Sequence, residues 1–94
     1  MRQIKSTRIG GRRWKILWEK PESEDKAVGL CHFDIKTIQI DPDQHGRAQM
    51  DTLIHEALHA ISDLPGMPNL NESQVECAAE SLSGLLWRVG YRVK

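Results

Sequence analysis

The hydrophobic residues of this chain keep two different periods, and the change from one to the other falls at Pro42. Before it, Trp14, Ile16 and Trp18 alternate with Arg13, Lys15 and Leu17, and Ile38 and Ile40 alternate with Thr37, Gln39 and Asp41. A period of two marks strands with one face buried. After it, Met50, Leu53, Ile54, Ala57, Leu58 and Ile61 recur at helical spacing. So do Val75, Ala78, Ala79, Leu82, Leu85, Leu86 and Val89. Strands followed by helices predict an α+β fold: a small, mostly antiparallel sheet of three or four strands packed against two main helices.

Punctuation residues set the boundaries. Gly10-Gly11 signals a hairpin, and a second hairpin turns around residues 34–36. Residues 21–26, "PESEDK", read as a surface loop. The first helix is expected over residues 47–62, stopped by the prolines and glycine of "DLPGMPNLN". The second runs from Glu72 to about Val89, with Asn71 and Gln74 spaced as a capping box and Gly90 placed to end it. Ninety-four residues suit one domain, spanning 1–94, with a single small core.

Thirteen basic and thirteen acidic residues cancel, so net charge offers no argument for nucleic acid or an anionic membrane. Arg2, Lys5, Arg8, Arg12, Arg13 and Lys15 nevertheless crowd the first fifteen positions. This run reads as the solvated face of a strand pair. Its rival, a nucleic-acid arm with Trp14 or Trp18 stacking on bases, competes with the use of those tryptophans as core. Two cysteines, Cys31 and Cys77, are too few for a secreted disulfide scaffold and read as small buried residues. No stretch resembles a signal peptide or membrane span, and a cytoplasmic location is expected.

The chemistry concentrates in "HEALH", residues 55–59. His55 and His59 lie one turn apart on one helix face and can converge on a single cation. Glu56 is rotated about 100° from His55, poorly placed to ligate but able to reach a water beside the metal. That is the position of a general base. A catalytic zinc takes three protein ligands and keeps one position open. Glu72, Glu76 and Glu80 form one ridge of the second helix. Taking Val75 as zero, they lie at about 60°, 100° and 140°. Glu76 flanks the buried face one turn inside the helix and is expected as the third ligand, with Glu72 next because it sits in the first turn. Asp63, His45 and His32 read as lying outside the site.

"TIQID", the His-Glu-x-x-His helix and "ESQVECAAESL" together resemble the zincin metallopeptidases. The nearest likeness is to minimal single-domain zincin-like proteins of phages and other mobile elements. The likeness spans Ile9 to about Tyr91 and is specific only at His55-Glu56-x-x-His59. It implies Zn2+ held by His55, His59 and a glutamate of the following helix, which fits Glu76. It further implies hydrolysis of a peptide bond with Glu56 as base, in a bacterial or phage-infected cytoplasm. It also implies that the strand before the motif helix borders the cleft, so that an extended peptide could add beside Thr37–Asp41. The second reading, from a different class, is a zinc-stabilised, non-catalytic protein-binding module.

Overall fold

The computed structural model of the chain describes residues 4–22 and 27–92. Arg2 and residues 23–26 of the expected surface loop lie outside the described residues. Four strands precede two helices: β1 (Ser6–Ile9), β2 (Arg12–Trp18), β3 (Gly29–His32), β4 (Thr37–Ile40), α1 (Arg47–Ser62) and α2 (Glu72–Arg88). The fold is α+β.

Gly10 and Gly11 both take positive φ, as a two-residue hairpin turn demands, and set Ile9 opposite Arg12. The sheet order is β1-β2-β4-β3. The sheet, expected to be mostly antiparallel, is mixed. β1/β2 and β3/β4 are antiparallel, but the central β2/β4 pairing is parallel. The ten residues from Glu19 to Val28 are long enough for β3 to land one strand away from β2, and β4 then fills the gap. A second correction follows. β4 is hydrogen-bonded on both sides, so no edge remains free beside Thr37–Asp41 for an added peptide. The edge strand on that side is β3.

Ile9, Trp14, Ile16, Ile38 and Ile40 face the helices and meet Ala60, with Leu53, Ala57, Ile61 and Leu64 packed around them. Both tryptophans of β2 serve packing. Trp14 is 3% exposed. Trp18 is partly buried and donates its indole N–H to the Ile4 carbonyl.

α1 lies between the sheet and α2, so its burial does not follow a single apolar stripe. Thr52, Glu56 and Ala60 form its deepest line. α2 runs antiparallel to α1: Arg47 reaches the Glu80 carbonyl, Ser83 reaches Asp51, and Glu72 reaches the two histidines. Its capping box forms as expected, and Gly90, at φ 98°, closes it with Tyr91 N–H donating to the Leu86 carbonyl. The apolar stripe expected on α2 is only partly buried. Val75, Ala79 and Ser83 pack inward, while Leu82, Leu85 and Val89 are 42%, 59% and 63% exposed. The small side chains of Ala79 and Ser83 let the helices approach, and that choice of face turns the leucines outward. Cys77 is likewise exposed rather than buried.

Candidate metal centre

His55 and His59 project from α1 on one side, and α2 begins directly opposite them. The His55 Nε2 stands 2.8 Å from Glu72 Oε1. The His59 Nε2 stands 3.1 Å from Glu72 Oε2. The two imidazole Nε2 atoms are 3.3 Å apart, their rings inclined at 66°. Two atoms each about 2.0–2.1 Å from a tetrahedral ion lie about 3.3 Å from each other. The histidine spacing therefore matches one edge of such a polyhedron, and the carboxylate contacts are slightly shorter. Of the described residues, His55, His59 and Glu72 form the one His/Cys/Asp/Glu group compact enough for a cation, with ligand atoms within 4.8 Å of one another.

Glu76, the residue expected as third ligand, is exposed and outside this cluster; Glu72 occupies the place. Two local devices explain why a first-turn residue can hold so defined a position. The Asn71 side chain accepts from Gln74 N–H, and the Gln74 side chain accepts from Asn71 N–H, each at 2.9 Å, which stops the turn from fraying. Ser62, buried at the end of α1, donates to the Pro68 carbonyl at 3.0 Å and accepts from Leu70 N–H at 2.8 Å. It ties the connecting loop back onto α1 and so aims the start of α2. Nothing in the sequence marks Ser62 for this task. Glu80 is exposed, as its angle on the helix requires.

Glu56 sits at the floor of the same cleft, only 8% exposed. Burial pushes its carboxyl pKa up from 4.5, against the pull of His55 and His59 and with the carboxylate of Glu72 adding to the rise. The cleft, about 270 Å³, is lined by Val28, Gly29, Asp51, Thr52, His55, Glu56 and Glu72. Its wall is therefore β3, not β4. Gly29 is part of the construction: a Cβ there would lie 2.6 Å from Thr52 Cγ2 and 3.0 Å from Glu56 Cγ and Oε2. Only a glycine lets the strand approach Glu56 so closely. Its sequence signal, a glycine inside a strand, was legible as a close approach but not as one to Glu56.

The remaining candidates stay apart. His32 bonds Gln39 at 2.9 Å on the face of the sheet away from the helices. Asp63 is the exposed C-cap of α1. Tyr91, the sole tyrosine, lies beyond the opposite end of α2 from Glu72 and is 64% exposed. Compared with known proteins, the chain matches no family model, no curated protein and no solved structure.

Proposed function

We propose that the protein is a zinc-dependent metallopeptidase of the zincin type, acting on peptide bonds in extended segments. One observation carries the reading: two imidazoles and a carboxylate converge at metal-ligand spacing, with a second, buried carboxylate beside them that is not part of the cluster. A closed structural site has no use for that second acid. The donor set, two neutral nitrogens and one oxygen, fits zinc and leaves the fourth position that hydrolysis needs. Zinc bound there would supply Lewis acidity towards a carbonyl and would acidify water.

The chain's own residues do the rest. His55, His59 and Glu72 would hold the ion. Glu56, buried at the floor of the cleft, would take the proton of the attacking water and return it to the leaving amine. Its burial shields it from bulk solvent. β3 has no strand on its outer edge among the described residues, and Gly29 of this strand lines the cleft. An extended substrate would pair there through main-chain hydrogen bonds. Among the described residues no helix is long and apolar enough to cross a membrane. We place the protein in a bacterial or phage-infected cytoplasm.

One observation favours the alternative, a zinc-stabilised binding module: no tyrosine or further histidine lines the cleft to stabilise an oxyanion. Three variants separate the outcomes. Glu72→Ala should lower zinc affinity by more than the about 10- to 100-fold typical of losing an outer partner, while Glu76→Ala should leave it unchanged. Glu56→Gln should keep zinc and abolish hydrolysis of an unstructured peptide. Full zinc occupancy in Glu72→Ala would refute the site. Zinc binding with no hydrolysis by the wild type across a peptide library would select the binding module.

A further inference from the structure

We propose that the sheet face turned away from the helices binds the phosphate backbone of a nucleic acid. Cross-strand partners share a face, and the register sets Arg8 against Arg13 and Ser6 against Lys15. Arg13 and Lys15 flank Trp14, whose side chain is buried towards the helices, so these cations point the other way. The parallel β2/β4 pairing then brings the β3–β4 turn alongside, with Lys15 N–H donating to the Lys36 carbonyl at 2.9 Å. The result is a cleft of about 350 Å³ lined by Lys5, Ser6, Arg13, Lys15, Ile35 and Lys36.

Lys5, Arg13 and Lys15 supply three cations, and Arg8 adds a fourth beside them; the Lys36 ammonium turns back over the Trp14 ring, 5.5 Å from its centroid, and donates to the Phe33 carbonyl. Among the described residues none of the four has an ionic partner: the ion pairs there join only His55 and His59 to Glu72. Asp34 lies in the same turn as Lys36 and pairs with none of them. Like charges facing each other across a strand pair work against the fold. Among the described residues Glu72, Glu76 and Glu80 stand away from this face, along one ridge of α2. A zero net charge thus hides a basic face.

The chemistry of that face selects the ligand. Lysines, arginines and a serine hydroxyl are what phosphate contacts use. A protein partner would draw on apolar anchors, of which this face offers Ile35, 64% exposed, with the half-buried Leu17 and Leu30 among the described residues; the four cations outnumber them. Trp14 is too deeply buried to stack on a base, so binding should be indifferent to sequence. The face lies across the sheet from the histidine cluster, and its occupancy does not depend on the metal.

The test is fluorescence anisotropy of a labelled short DNA duplex, titrated with the full chain between about 50 and 200 mM salt. Log K should fall linearly with log salt with a slope of about −4, as four phosphate contacts require. Arg13→Ser should weaken binding several-fold and make the slope shallower by about 1. Lys15→Ser, across the strand pair from Ser6 on the same face, should do the same. Arg88→Ser, which removes a cation from α2, should change neither value. No saturable binding at the lowest salt would overturn the proposal. So would equal losses in Arg88→Ser and Arg13→Ser, or tighter binding to polyglutamate or to phosphatidylserine vesicles than to DNA.

Discussion

Replacing Gly29 by alanine tests whether the close approach of β3 to α1 is what seats Glu56. The added methyl would stand 2.6 Å from Thr52 Cγ2, about 1 Å inside the usual carbon–carbon contact. It would also stand 3.0 Å from both Cγ and Oε2 of Glu56. Thr52 and Glu56 are on one ridge of α1, the buried line that faces the strand, so room for the methyl must come from repacking that ridge. Overpacking of this kind costs about 1–3 kcal/mol. In a domain this small, about 2 kcal/mol lowers the Tm by about 8–16 °C. Thermal unfolding followed by circular dichroism, with a chelator present, reads this directly. Adding Thr52→Ser removes the closest clashing atom and keeps the hydroxyl that donates to the Ala48 carbonyl. It should recover most of the Tm. Hydrolysis should recover less, because the contact with Glu56 remains and a displacement of about 1 Å at a reacting group costs about 100-fold. A Gly29→Ala protein that melts within about 1 °C of the wild type would refute the reasoning, since an unstrained methyl there means a looser cleft wall.

Three further outcomes follow from the same geometry. Glu56 has a raised pKa in the fold, so its contribution to stability is full below its unfolded value of 4.5 and is lost as pH rises through the folded value. In metal-free protein, the Tm advantage of Glu56→Gln over wild type should therefore grow from acid towards neutral pH and then level off; a constant difference would contradict the burial of the charge. Asn71→Ala removes the capping box, should cost about 1 kcal/mol, and should weaken zinc binding because the first turn carries Glu72; unchanged zinc affinity would show that the cap does not position the ligand. Burial, reinforced by the carboxylates of Glu56 and Asp63, pushes the Cys31 thiol up to about 12, whereas Cys77 is exposed. An alkylating reagent at about pH 8 should then label one equivalent quickly, at Cys77, as peptide mapping would verify.

What the sequence determined by itself was everything governed by near neighbours. Hairpin glycines, a capping box and helical periodicity act over a few residues, and they place β1, β2, α1 and α2 where the structure has them. His55 and His59 belong to this class, because four residues on a helix are one turn whatever the rest of the chain does. Glu56 followed as their neighbour. The tertiary structure decided what depends on how the elements meet. Periodicity along β2 and β4 is the same whether they pair parallel or antiparallel, so the order β1-β2-β4-β3 was out of its reach. The angle of a residue on α2 cannot say which turn of α2 crosses α1. Glu76 was preferred to Glu72 because first turns fray, yet Asn71, Gln74 and Ser62 hold this one still, and the antiparallel crossing brings it to the histidines. The same crossing, made on Ala79 and Ser83, left Leu82, Leu85 and Val89 in solvent. Local rules carry no information about contacts between residues far apart in the chain, and the approach of Glu72 to the histidines, the cleft wall and the basic face are all made of such contacts.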